Sequence, residues 1–159
     1  MATASYILRP RGPLRWLDPG AFGTLGVGGG FALGVKLCRP DAEVWIMWGD
    51  GSTGYSVAEF DTFKRHNVPV IAVVGNDSCW TQIERDQIDI LGSDVACPLL
   101  YTPYEEVAKG YGGDGVVVRA QKDVAAAFRR AKAAAASGTP FLVNAMIGKS
   151  DFREGSISV

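Results

Sequence analysis

The chain has 159 residues, 47% of them apolar, with 16 basic and 17 acidic side chains and a formal net charge of −1. That length and apolar content suit one globular domain with a proper core and exclude a disordered chain. Scattered arginines (Arg9, Arg11, Arg15, Arg129, Arg130) argue against nucleic acid as a partner, the widely spaced Cys38, Cys79 and Cys97 against a disulfide framework, and the absence of a long apolar run or a signal-peptide core against a membrane anchor within these residues.

In chain order, residues 1–13, with Tyr6-Ile7-Leu8 followed by Pro10, Gly12 and Pro13, read as a lead-in segment or linker. Leu14 to Leu17 reads as extended, up to the turn signal Asp18-Pro19-Gly20. The stretch Gly20 to Gly34 is dense in glycine. Each glycine lowers helix propensity by about 1 kcal/mol relative to alanine, so the density makes sense where something approaches the backbone closely. A helix packed tightly enough to need small residues is a compatible reading.

Val44 to Trp48 predicts a strand ending at Gly49-Asp50-Gly51-Ser52. Tyr55 to His66 predicts a helix, with Val57, Phe60, Phe63 and Lys64 at helical spacing. Val70 to Val74 predicts a second, buried strand ending at Gly75-Asn76-Asp77-Ser78. Cys79 to Ile90 mixes charge with Ile83, Ile88 and Ile90 and reads as either helix or mobile loop. A short helix at Tyr104 to Lys109, a strand at Val116 to Val118, an alanine-rich helix from Asp123 to Ser137 closed by Gly138, and a strand at Phe141 to Ile147 follow. Residues 14–148 then form one α/β domain, a parallel sheet with helices on both faces, and residues 149–159 a polar tail or lid.

Two strands joined by a crossover helix are normally parallel neighbours, so both turns fall at the same carboxyl edge of the sheet, where α/β proteins place ligands. Asp50 and Asn76 would stand side by side there. Mg²⁺ takes about six oxygens, few of them from protein and the rest from phosphate and water. Asp50 offers a charge, Asn76 a neutral oxygen, and the carbonyl of Ser78 a third ligand. Gly49 and Gly51 let backbone approach a phosphate, and free N–H groups at the following helix start favour an anion. Each turn alone is a common turn or cap; the pair at this spacing carries the reading. Other motifs fail on context. Gly110 to Gly115 satisfies G-x-G-x-x-G but follows a helix and precedes a strand, the reverse of a dinucleotide site. Gly148-Lys149-Ser150 lacks the earlier glycine of a P-loop, where Val143 stands. His66, the lone histidine, reads as a helix-end residue and supports no Ser-His-Asp chemistry. Asn76-Asp77-Ser78 matches a glycosylation sequon, discounted because a cation ligand would be buried.

Gly49-Asp50-Gly51 followed at a distance by Asn76 resembles the G-D-G…N-N signature of thiamine-diphosphate enzymes. Gly20 to Gly28 resembles the G-G-x-G-T-M-G-x-G segment that precedes it in acetolactate synthases and their relatives. Pro10 to Gly28, Leu91 to Cys97 and Asp151 to Ile157 carry the likeness further, toward the acetolactate-synthase-like 2-hydroxyacyl-CoA lyases. The resemblance implies thiamine diphosphate and Mg²⁺ as cofactors, with Asp50, Asn76 and the Ser78 carbonyl on the cation. It implies that Gly49, Gly51 and Ser52 line the diphosphate. Gly23, Thr24 and Leu25 would meet the pyrimidine, Leu25 wedged between the two rings. Trp80 and Gln82, just past the cation turn, would face substrate.

The implied activity is cleavage of a 2-hydroxyacyl-CoA to a shortened aldehyde and formyl-CoA. The alternatives are acetolactate-type joining of 2-keto acids and a non-catalytic interaction module. Departures from the pattern are Gly75 for the first Asn, Leu25 for Met, and Gly29-Gly30 for the commoner L-P. In this superfamily the activating glutamate comes from a separate pyrimidine-binding domain of the same or a partner subunit. The resemblance therefore implies the C-terminal domain of a larger homo-oligomeric enzyme that is inactive as this chain alone. It also implies endoplasmic reticulum association, with cytoplasm or mitochondrion as alternatives.

Overall fold

The computed structural model describes residues 2–151. Met1 and most of the expected tail, residues 152–159, lie outside the described residues. Four strands, Trp45–Gly49 (β1), Ile71–Asn76 (β2), Asp114–Val118 (β3) and Phe141–Met146 (β4), form one sheet in the order β1-β2-β4-β3, every pairing parallel. Seven helices accompany them among the described residues: Ala2–Ile7 (α1), Gly28–Cys38 (α2), Asp50–Ser56 (α3), Glu59–Arg65 (α4), Thr81–Leu91 (α5), Tyr104–Gly110 (α6) and Gln121–Ala136 (α7). A 3-10 turn spans Gly20–Phe22.

Alternation along the strands divides the core in two. Ala72 and Val74 of β2, Ile46 and Trp48 of β1 and Leu142 of β4 pack with Ala32 of α2, Phe60 and Phe63 of α4 and Ala108 of α6. Ile71, Phe141, Val143 and Val118 face the opposite way, onto Ala127 and Ala131 of α7. Helices therefore cover both faces, as the alternating elements predict. Phe60 and Phe63 are fully buried, and each contributes about 1.5–3 kcal/mol by leaving water.

Several expected bounds change. The turn expected after the first strand is instead the opening turn of α3, which starts at Asp50 with an extended Gly49 as its cap. The Ser52 hydroxyl accepts the Gly49 N–H at 3.0 Å, and the Thr53 hydroxyl donates to the Gly49 carbonyl at 2.8 Å, so the helix closes on the strand without a loop. The single helix expected over Tyr55 to His66 is split. Phe60 and Asp61 bond back three residues, to Val57 and Ala58, and this tighter turn re-aims the chain from α3 into α4. Within the stretch Cys79 to Ile90, Cys79 and Trp80 precede the helix, and α5 starts at Thr81 and is stopped by Gly92 in the left-handed region at φ 65°. Leu14 is not extended: its φ of 55° makes a turn with Pro13. The lead-in segment contains helix α1, whose last turn is closed by the Leu8 N–H on the Ala4 carbonyl.

Candidate functional site

The register pairs Gly49 of β1 with Gly75 of β2, so Asp50 and Asn76 emerge side by side at the carboxyl edge. Both are buried, Asp50 at 3% exposure and Asn76 at 0%. One Asp50 oxygen accepts the Gly51 N–H at 2.9 Å, and the other accepts the Cys79 N–H at 3.1 Å. The second bond ties the two turns together. No cationic side chain pairs with Asp50 among the described residues. Burial pushes its carboxyl above the ordinary value and the charge of Asp77 adds to this, while the Gly51 and Cys79 amides oppose it.

Asn76 Oδ1 accepts the Ser78 N–H at 3.3 Å. Ser78 sits in the left-handed region at φ 58°, unusual for a residue other than glycine, and such backbone concentrates at ligand sites. Its carbonyl accepts the Leu99 N–H at 2.7 Å and keeps a second lone pair. The segment Cys97 to Leu99 runs beside this turn: Trp80 N–H donates to the Cys97 carbonyl at 2.9 Å, and Cys79 pairs with Pro98 as an antiparallel bridge.

A brace behind the edge was not visible in the sequence. The Tyr104 hydroxyl donates to the Asp50 carbonyl at 2.9 Å; burial pushes this phenol above its ordinary value. Asn76 Nδ2 donates to the Thr102 carbonyl at 3.1 Å and to Asn144 Oδ1 at 3.2 Å. Asn144 Nδ2 donates to the same Thr102 carbonyl at 3.1 Å and to Glu105 Oε2 at 2.7 Å. The available signal was Asn144 itself, a lone amide inside the apolar run Phe141 to Met146.

The remaining expected residues surround the edge. A Cβ on Gly51 would lie 2.5 Å from the Trp80 ring, and Trp80 also packs 6.1 Å from the ring of Tyr55. Trp80 therefore covers the start of α3. Gln82 is half-buried in the first turn of α5. Gly23 and Thr24 are exposed in the loop before α2. Leu25 and Ser52 line one cleft of about 200 Å³ along the outer side of β1, with Gly28 and Trp48. Asp50, Asn76 and Ser78 do not line that cleft. Gly26 closes the loop onto α3, because any Cβ there would lie 2.4 Å from Tyr55 Cβ.

One carboxylate, one amide oxygen and one backbone carbonyl make a hard, all-oxygen donor set. Its single charge is buried without a counterion among the described residues, so the residues present fit a divalent cation whose other ligands are phosphate and water. Among the described residues no group of three or more His, Cys, Asp or Glu is placed to hold a metal ion, so the cation reading rests on the one carboxylate together with the amide and carbonyl oxygens beside it.

The family described as thiamine pyrophosphate enzyme, C-terminal TPP binding domain, matches residues 1–145. The chain is 60% identical to 2-hydroxyacyl-CoA lyase 2 of Danio rerio and 56% identical to that of Homo sapiens, each over 161 residues, covering 100% of this chain and 26% of the relative. It is 41% identical to a probable acetolactate synthase of Mycobacterium bovis, over 82% of this chain and 24% of that protein. Among solved structures, the thiamine diphosphate-dependent 4-hydroxybenzoylformate decarboxylase of Rhodococcus jostii RHA1 superposes with a TM-score of 0.74 at 26% identity, covering 82% of this chain and 24% of that one. The chain thus spans about a quarter of the length of these relatives. The family match spans nearly the whole chain, and the chain belongs to the C-terminal TPP-binding domains of the thiamine pyrophosphate enzymes.

Proposed function

We propose that this chain is the diphosphate-holding part of a carbon–carbon lyase that cleaves 2-hydroxyacyl-CoA to a shortened aldehyde and formyl-CoA. The observation that carries the cofactor reading is Asp50, a buried carboxylate with no cationic partner among the described residues, beside the Asn76 amide and the left-handed Ser78. Asp50, Asn76 and the Ser78 carbonyl would hold Mg²⁺, and Gly49, Gly51 and Ser52 would border the diphosphate. Bound thiamine diphosphate supplies stabilisation of a carbanion next to a carbonyl. The chain's own part is to fix the cation ligands and to keep that edge dry: Trp80 covers Gly51, and Tyr104 holds the Asp50 backbone from beneath. The substrate class rests on higher identity to the 2-hydroxyacyl-CoA lyase 2 relatives (56–60%) than to the acetolactate synthase (41%). A pyrimidine-binding domain of the same or a partner subunit would complete the site in a homo-oligomer.

The test is calorimetric titration of the full-length protein with thiamine diphosphate, with and without Mg²⁺, alongside Asp50→Ala. Binding that needs Mg²⁺ and is lost in Asp50→Ala is expected. Metal-independent binding, or unchanged binding in the variant, would remove the cation site. Assays with 2-hydroxyacyl-CoA and with pyruvate then decide the reaction: acetolactate from pyruvate with no formyl-CoA from the thioester would replace the lyase reading.

A further inference from the structure

We infer that Glu105 and Asn144 are positioning residues that set the polarity of the Asn76 amide, so that its oxygen rather than its NH₂ group faces the cation turn. The inference rests on the proposed cation role of Asn76. An asparagine amide is nearly symmetric in shape, and turned over it would present two N–H donors to a cation. Something must therefore hold it one way round.

The chain of bonds begins at Glu105, 8% exposed on the first turn of α6. A carboxylate can only accept, so the neighbouring Asn144, 1% exposed, must turn its Nδ2 toward it, at 2.7 Å. This leaves Asn144 Oδ1 facing Asn76, which must answer with its own Nδ2 at 3.2 Å. Asn76 Oδ1 is then directed to the Ser78 N–H, on the cation side. The Thr102 carbonyl accepts from both Nδ2 groups at 3.1 Å, one for each of its lone pairs. Reversing the two amides would set oxygen against oxygen at Glu105 and at Thr102. One charge thus orients two neutral amides, and its bond to Asn144 is the charge-assisted one.

The test uses Mn²⁺ in place of Mg²⁺, with thiamine diphosphate present, on the full-length protein. Free Mn²⁺ is read by electron paramagnetic resonance. Glu105→Gln keeps the shape but can present either an oxygen or an NH₂ group, so Mn²⁺ should bind about tenfold more weakly, as for the loss of other outer-shell partners. The discriminating comparison is the same change in an Asn76→Asp background. The carboxylate introduced there has oxygens on both sides, and one of them is set against Asn144 Oδ1. Glu105→Gln frees Asn144 to turn over, and Mn²⁺ binding should in that background hold or tighten.

Weakening by the same factor in both backgrounds would mean that Glu105 acts only through its charge, and the relay would fall. No weakening in the Asn76 background would also overturn it. Wild-type protein that binds no Mn²⁺ would instead remove the cation reading, and this inference with it. A readout that needs no variant is side-chain amide exchange: the Asn144 Nδ2 protons should exchange slowly in wild-type protein, and rapid exchange would overturn the relay.

Discussion

At the scale of single residues, the contact between Gly51 and Trp80 shows how little room the site leaves. The Trp80 ring atoms lie 2.5–2.6 Å from where a Gly51 Cβ would be, so Gly51→Ala must displace an indole wedged between Tyr55 and the α3 backbone. Overpacking of this kind costs about 1–3 kcal/mol. Gly51→Ala should therefore lower the melting temperature and change Trp80 fluorescence. Trp80→Leu should recover most of the loss when combined with it. Additive losses in the double variant would show that Trp80 is not what Gly51 accommodates. Residue-level legibility in the sequence was uneven for a physical reason. Asp50 and Asn76 stand at strand ends, where polar residues interrupt apolar runs and are conspicuous. Asn144 lies within a strand, and Glu105 is a buried residue in the first turn of α6, next to the exposed Glu106 that pairs with Lys109. Asn144 shows in the sequence as a lone amide in an apolar run, but its partner does not: only the packing of α6 against β4 brings Glu105 to it.

At the scale of elements, α6 can brace the site because β3 lets it approach. A Cβ on Gly115 would meet the Leu142 carbonyl at 2.8 Å, Glu105 Cβ at 2.9 Å and Glu105 Cα at 3.0 Å. Most of these are backbone or near-backbone atoms that cannot swing aside. The G-x-G-x-x-G run is thus a packing device under α6 rather than a nucleotide loop. Gly115→Ala should cost about 1–3 kcal/mol, lowering the melting temperature by about 2–4 °C per kcal/mol, and should weaken Mn²⁺ binding because Glu105 moves. Gly34→Ala is the contrast: it lies in α2 with nothing within 4 Å of its Cβ position and should be neutral or stabilising by up to about 1 kcal/mol. Equal destabilisation by both changes would rule out close approach of α6 as the reason for Gly115. Strands and the alanine-rich α7 were legible because their periodicity is strong. The start of α3 was not, because Gly51 and Gly54 dilute its helix signal and its stability comes from side-chain bonds at Gly49. The same holds for α5, whose mixed charge hides a helix pinned at one end by the cation turn and closed at the other by Gly92.

At the scale of the whole molecule, the chain leaving β4 returns across α5, the helix that begins beside the cation turn. Lys149 Nζ lies 2.6 Å from both Glu84 oxygens, and Arg85 donates to the Ser150 carbonyl. The bond to Lys149 holds the Glu84 carboxyl below its ordinary value, helped by the Cys79 thiol, while the bond to Glu84 raises the Lys149 ammonium. The two shifts have opposite consequences. A lowered carboxyl contributes stability above its unfolded value, about 4.3, and loses it as pH falls through the lower folded value. A raised ammonium contributes below its unfolded value, about 10.4, and loses it as pH rises through the higher folded value. Attachment of residues 148–151 to α5 should therefore be constant through neutral pH and weaken at both extremes. Amide exchange of these residues, corrected for its intrinsic pH dependence, reads this directly. Glu84→Gln should abolish the acid limb and raise exchange at neutral pH, leaving exchange in the sheet unchanged. Unaltered exchange at residues 148–151 in Glu84→Gln would show that β4 alone holds the segment. Loss of protection across β4 as well would show that the pair stabilises the sheet edge rather than the segment that crosses α5.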